Sequence, residues 1–475
     1  MKNPDPTLEL SAEDMRHLVT QAVERIVAHL ESLPIQPSVD VEGGIELARS
    51  LVEPLPETGQ PYPELLDVLF SKVIPKSFNT AGPGYLAYIP SGGIFHAAVA
   101  DLITDAVNRY MGIWVAAPGL AQLEANVIRW FCDLVGYPAS ARGFLTTGGS
   151  LANFSALVTA RRERLPDNFL SGTLYVSDQT HHSVQKAALL AGFPPPNVRP
   201  IPSDAQFRVR IDLLEQTIAK DRQAGLTPFL LVGNAGTTNT GAVDDLQALA
   251  DLAQRDHLWL HVDAAYGGFF LLTAQGQALM AGIDRADSIT LDPHKGLFLP
   301  YGTGSLLVRD SAALQRAHSV AAHYLPDTQE DPDLVDFSQI SPELSREFRG
   351  LRVWLPLKMH GIAPFRHNLQ EKLDLAQWAA TELRKIAGIE IVAAPQLSLV
   401  AFRLTRPGLD SNSLDQLNRE LLNRINARKR VYLSGTMLGD RFALRICVLS
   451  FRTHFDRMQA GLADIRTAVA ETLAG

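Results

Sequence analysis

The stretch SITLDPHKGLFLPYGTG, residues 288–304, places Lys295 between two apolar segments, just after Asp292, Pro293 and His294. A lysine in such a setting either carries its ammonium to water along its stem or is held by a partner, because an unpaired buried charge is very costly. Asp263 raises the same question 32 residues earlier, at the end of the apolar run LWLHV within HVDAAYGG. Two further segments carry chemistry. TTGGSLANFSAL runs from a Gly-Gly turn into a helical pattern, so Gly149 and Ser150 bring free backbone N–H groups and a helix N-terminus to one point, which suits a phosphate. QTHHSVQKA puts His181 and His182 at a strand end or helix start, and GTTNTGAVDD puts Thr237 and Thr238 on a loop. A phosphate cradle, an imidazole, a buried carboxylate and a buried amine are together what pyridoxal 5′-phosphate requires. Its phosphate takes the helix N-terminus, its ring nitrogen a carboxylate, and its aldehyde a lysine. Desolvation is expected to lower the lysine's pKa and make it nucleophilic.

These residues must be positioned by an alternating framework. RGFLTT, GTLYVSD, FLLVGNA, LWLHVDAA, DSITLD and GSLLVR read as strands, and the amphipathic segments between them read as helices. Strand–helix alternation with apolar strands predicts a mainly parallel sheet covered by helices on both faces. In such sheets ligands bind outside the carboxyl ends of the strands, where the residues above fall one after another. Residues 8–33 read as a helix, with Ser11 and Asp14 as its capping pair and Leu18, Ala22, Ile26 and Leu30 as an apolar stripe. The Pro- and Gly-rich stretch from Leu33 to Pro63 suits an extended arm, and an arm of this kind needs a partner surface. Three segments are expected: a helical and extended dimerisation segment over 1–94, an α/β cofactor domain over 95–354, and a smaller α+β domain over 355–475.

The chain has 475 residues, is 46% hydrophobic and 20% charged, and carries a net charge of −8. That charge gives no support to nucleic-acid or anionic-membrane binding. Two cysteines, Cys132 and Cys447, cannot build a disulfide framework, the first residues lack the apolar core of a signal peptide, and no apolar run spans a bilayer. A cytoplasmic location is expected. The adjacent histidines are not a metal signature, and no metal is expected.

HVDAAYGG and DPHKG at this spacing, with TTGGSLAN and SDQTHHSV upstream, resemble the group II pyridoxal-phosphate decarboxylases, which act on aromatic amino acids, histidine or glutamate. The resemblance runs from PGYLAYIPS near residue 83 through FALRICVLSFRT near residue 451. It implies the fold-type-I, aspartate aminotransferase-like architecture and a homodimer with active sites at the interface. It also implies Lys295 as the cofactor-bonding lysine, Asp263 as partner of the ring nitrogen, and His181 stacked on the ring facing the substrate carboxylate. Ala265 would cover the other ring face, with Thr238 beside the ring and Gly149, Ser150 and His294 on the phosphate. Tyr324, in AAHYLPD, matches the loop tyrosine that returns a proton to the substrate carbon, an outcome that favours an amine over an aldehyde. Two positions depart from the pattern. Asp292 stands where the family often has Asn, and is expected to point away from the phosphate or to accept from backbone N–H groups; His182 stands where Ser is common.

For the substrate side chain the resemblance points to Tyr88, Ile89, Pro90 and Ser91 on one wall and Tyr110 and Trp114 across the dimer, a lining that suits an aromatic L-amino acid. Interface packing suits Tyr88, Tyr110 and Trp114 equally well. Arg109 keeps a glutamate-like substrate open, while Ser345 leans toward a phenolic ring. An aldehyde synthase or carbon–carbon lyase on the same scaffold, and a catalytically silent binding dimer, are the competing expectations.

Overall fold

The computed structural model describes residues 8–319 and 334–474. Its centre is a seven-stranded sheet. The strands are β1 (Arg142–Thr146), β2 (Gly172–Ser177), β3 (Val198–Ile201), β4 (Thr227–Asn234), β5 (Trp259–Asp263), β6 (Ser288–Leu291) and β7 (Gly304–Val308). They lie in the order β1-β7-β6-β5-β4-β2-β3, and β7 alone runs against its neighbours. β2, β5, β6 and β7 are buried along their whole length, which is why they read as unbroken apolar runs: helices cover both faces. Each expected strand of this sheet is present. β3 escaped the sequence reading because VRPI is short and carries Pro200, which cannot donate to a ladder and is tolerated at an edge.

A second sheet forms from β8 (Ile389–Ala393), β9 (Leu399–Leu404), β10 (Ser434–Leu438) and β11 (Arg441–Cys447), antiparallel in the order β10-β11-β9-β8. The helices Ala363–Leu383, Ser411–Ala427 and Phe455–Ala474 pack on it. The boundary expected at 354/355 falls inside the helix Gly350–His360. That helix packs on Phe95–Val107 and Pro118–Leu134, so it stays with the large sheet. Residues 84–86 bond to the small sheet's side instead: Leu86 N–H donates to Tyr432 O at 3.0 Å, and Leu86 O accepts from Cys447 N–H at 2.9 Å. The segment before residue 94 therefore joins the two halves of the chain as well as preceding them.

The first helix, Ala12–Ser32, starts as expected, with the Ser11 hydroxyl accepting from Asp14 N–H at 3.1 Å. It buries no residue. Met15, Val19, Val23 and Val27, four apart and therefore on one face, are all at least 37% exposed.

The carboxyl end of β1 is fixed by a buried ion pair. Arg346 donates to Glu124 at 2.6 Å and to Leu145 O at 3.2 Å, and Gly350 N–H donates to the other Glu124 oxygen at 3.0 Å. Both side chains are fully buried. Removing one partner of such a pair leaves an unpaired charge inside, at a cost of about 3–5 kcal/mol. Arg346→Met is expected to lower the unfolding free energy by that amount, with much of the loss recovered in the Glu124→Gln/Arg346→Met double variant; urea unfolding monitored by tryptophan fluorescence checks both.

Candidate active site

Five strand ends deliver side chains to one cavity of about 280 Å³. The turn after β1 runs straight into the helix Gly149–Arg164, whose first N–H groups have no intrahelical acceptor. β2 leads to His181, the N-cap of the helix His182–Leu190. β4 leads to Thr237 and Thr238, β5 ends on Asp263, and β6 passes through Asp292 into the short turn Pro293–Gly296 carrying Lys295. Gly149, Ser150, His181, Thr238, Asp263, Ala265, Asp292, His294 and Lys295 all line this cavity, so every expected cofactor contact is brought together.

Asp263 is 8% exposed and forms no ion pair among the described residues. Hydrogen bonds hold its carboxylate: Asn153 Nδ2–H donates at 2.9 Å and Ala265 N–H at 3.1 Å. Asn153 is in turn fully used. Its amide also donates to Ser183 Oγ at 3.0 Å, and its carbonyl accepts from Thr290 at 2.8 Å and from His261 Nε2 at 3.1 Å. Burial pushes His261 down to about 4, so it is neutral, and its Nε2–H bond leaves Nδ1 to accept from Ser288 Oγ at 2.8 Å. Ser288 accepts from Trp259 Nε1–H at 2.8 Å. The donors thus run one way, from Trp259 through Ser288, His261 and Asn153 to the Asp263 carboxylate. Asn153, His261, Ser288 and Thr290 went unread in the sequence; only Asn153 carried a signal, one turn into the helix after the Gly-Gly loop.

A branch of the network orients His181. Ser183 Oγ lies 2.7 Å from His181 Nδ1, which also accepts from Ser183 N–H at 3.3 Å. Nδ1 is therefore the acceptor, and the neutral ring carries its proton on Nε2. Burial lowers the His181 pKa against the opposing pull of Asp263. His182 lies beside it with centroids 4.2 Å apart and ring planes tilted by 48°.

Lys295 departs from expectation. Burial is the largest single effect and pulls its pKa down, but the Asp292 and Asp263 carboxylates and the nearby Cys447 together outweigh it and the net shift is upward. Lys295 Nζ sits 2.9 Å from Asp292 Oδ2, so the lysine is held as an ammonium. Asp292 likewise neither points away nor takes backbone donors: it faces the cavity, and its Oδ1 has no hydrogen-bond partner among the described residues. His294 donates Nδ1–H to Thr303 O at 2.6 Å.

The expected substrate wall is not part of this cavity within one chain. Ile89 and Ser91 are buried elsewhere, Ser91 donating to Leu299 O, while Tyr88 and Tyr110 are 51% and 39% exposed. Trp114 N–H donates to Asp336. Arg109 and Ser345 are exposed and line no part of it. Tyr324 lies outside the described residues. The small domain reaches the site through Arg445, which donates to Asn239 O at 2.9 Å, to Thr238 O, and to Tyr88 O at 3.3 Å.

The cavity fits pyridoxal 5′-phosphate on its own geometry. A side chain at Gly149 would come within 3.1 Å of Asp292 and 3.2 Å of Ala265 and fill the cradle. A buried carboxylate and a lysine amine face the remaining space. Fold and site together define a fold-type-I pyridoxal-phosphate enzyme. The chain belongs to the pyridoxal-dependent decarboxylase family, whose conserved domain matches residues 47–405, and it is a carboxy-lyase. It is 36% identical to an aromatic-L-amino-acid decarboxylase of Bacillus atrophaeus, over 98% of this chain and 97% of that one. Among solved structures it resembles Oryza sativa TDC with PLP and tryptamine, with TM-score 0.93, 29% identity and coverage of 98% and 99%. Catharanthus roseus tryptophan decarboxylase in complex with L-tryptophan is similar at TM-score 0.90, 27% identity and coverage of 98% and 100%.

Two outcomes are expected from this geometry. Asp263→Asn removes the charge that the network holds in place, and cofactor titration of the cofactor-free protein should show affinity weakened roughly ten- to hundredfold, the size of a hydrogen bond to a charged group. Because the His181 pKa is lowered, the ring stays neutral down past its ordinary 6.5. The acid limb that His181 contributes to kcat/KM is therefore expected below pH 6.5, and to be absent in His181→Gln.

Proposed function

We propose that this enzyme decarboxylates an aromatic L-amino acid to its amine as a homodimer in a reducing, cytoplasmic compartment. The observation that carries the reading is the convergence of Lys295, Asp263 and His181 on one cavity, which also argues against a silent binding dimer. The choice of an aromatic substrate rests on the relatives that act on aromatic amino acids. Arg109 lies away from the cavity, so its placement gives the glutamate-like reading no support.

Bound here, the cofactor supplies an electron sink for the pair left on the substrate carbon when carbon dioxide departs. The chain's own residues do the rest. Lys295 would hold the cofactor's aldehyde carbon, and Asp263, fixed in place by Asn153 and the Ala265 N–H, would face the ring nitrogen and favour its protonated form. Gly149, Ser150 and His294 take the phosphate, and Ala265 and Thr238 border the ring. His181 presents its Nε2–H toward the substrate carboxylate; its tautomer is set by Ser183, so the donor is in place before substrate arrives. Tyr324 returns the proton to carbon, which makes an amine the product.

The exposed apolar face of the helix Ala12–Ser32 supports a dimer, since four aliphatic side chains in one row are costly in water. Of the expected wall, Tyr88, Tyr110 and Trp114 keep exposed surface and would meet the substrate side chain across that interface, whereas Ile89, Pro90 and Ser91 are buried within the chain. Cys132 and Cys447 are both buried free thiols, which suits a reducing compartment. No helix among the described residues is long and apolar enough to cross a membrane.

Incubating the purified protein with each of the twenty amino acids should release carbon dioxide and an amine from tryptophan, tyrosine or phenylalanine above the others. A product pool of aldehyde and peroxide would overturn the decarboxylation reading. Tyr324→Phe is expected to divert product toward that pool.

A further inference from the structure

Asp292 sets a second carboxylate into the wall of the phosphate cradle. Its side chain is 2% exposed, Oδ2 pairs with Lys295 Nζ at 2.9 Å, and Oδ1 has no partner among the described residues. A Cβ at Gly304 would lie 2.7 Å from Oδ1 and one at Gly149 3.1 Å from Oδ2. The carboxylate thus stands between the start of β7 and the first residue of the cradle helix. Other charged or titratable groups near the pair are His294 at 3.8 Å on its own turn, His181, Asp263 and Tyr266 on the cavity wall, and Cys447 from the small sheet.

A phosphate monoester carries about −1.5 to −2 charges near pH 7, its second pKa being about 6. Beside the Asp292 carboxylate it meets a second group of acidic oxygens in a site sheltered from water, where repulsion between like charges is strong. The lysine has the opposite problem. It is held as an ammonium by that same carboxylate, whereas bonding to an aldehyde requires the free amine. One proton transfer over 2.9 Å removes both obstacles. When Lys295 gives its proton to Asp292 Oδ2, the nitrogen lone pair is freed, and the carboxylic acid becomes neutral and gains an O–H donor.

We propose that Asp292 is the proton acceptor for Lys295 during cofactor capture and then keeps that proton against the phosphate, while the amine bonds the aldehyde carbon and its oxygen leaves as water, so that the loaded site retains one proton more with a phosphate-bearing ligand than with one that lacks it. This rests on the cofactor's binding in the cavity described above. An asparagine at 292 could do neither.

The test compares pyridoxal 5′-phosphate with pyridoxal, which has the aldehyde and ring nitrogen but no phosphate. Each saturates the full-length, cofactor-free protein at about pH 8 in two buffers of different ionisation enthalpy, and calorimetry counts the protons taken up. Wild type is expected to take up about one more proton with pyridoxal 5′-phosphate than with pyridoxal. The ratio of the two affinities should fall about tenfold per pH unit. In Asp292→Asn the difference should vanish. Equal proton numbers for the two ligands in wild type overturn the proposal even if the variant does not fold, and so does a difference that persists in the variant. Failure of pyridoxal 5′-phosphate to bind at all would strike the cofactor assignment instead.

Discussion

The site depends on holding one carboxylate in place where water barely reaches. Asp263 ends a strand buried along its whole length, and no cation is within ion-pair distance among the described residues. An isolated charge there would neutralise itself or unfold its surroundings. What holds it is Asn153, whose two amide hydrogens and two carbonyl lone pairs are all engaged. A half-satisfied network would be worse than an apolar core, and this one is saturated from Trp259 to Asp263. The same amide that steadies the carboxylate also fixes Ser183 and hence the His181 tautomer. Charge and proton position in the cavity therefore share one support.

The opposite side of the cavity is built on a different balance. Lys295 and Asp292 form a compact pair whose pKa effects oppose burial, so the resting lysine is cationic and its reactivity is latent. Close packing enforces the pairing. Gly304 faces the Gly148 backbone and Asp292 so tightly that its Cβ would lie 2.6 Å from the Gly148 Cα and 2.7 Å from Oδ1. Arg352 pins the loop between Lys295 and β7 through Thr303 Oγ1 at 3.0 Å and Asp101 at 2.6 Å. Arg445 reaches in from the small sheet to the Thr238 loop and the Tyr88 backbone. The smaller domain thus helps set the shape of a site whose reactive groups all lie on the larger one.

Much of this was legible from residues alone. Apolar runs ending in Asp263, in Asp292-Pro-His-Lys295 and in the Gly-Gly turn announced both the parallel sheet and the rim where chemistry collects, because burial on two faces leaves period and composition in the strand itself. The Ser11 cap and the strand–helix alternation belong to the same class of local signal. Short edge strands such as β3, and the allegiance of the helix Gly350–His360 to the large sheet, carried none. An edge tolerates proline, and a helix gives no sign of which sheet it will pack against.

What the sequence determined by itself was the inventory: which side chains could serve a phosphate, a ring nitrogen and an aldehyde, and on which strand ends they fall. Only the tertiary structure decided their states. Asp292 and Lys295 are three residues apart in a turn, yet whether burial or their mutual attraction governs the lysine depends on the dielectric and packing around both. Asn153, His261, Ser288 and Thr290 lie on the helix and strands behind Asp263, up to 137 residues apart in the chain. Hydrogen bonds are short and directional, so their network exists only once the sheet and the helix across it bring those atoms within about 3 Å.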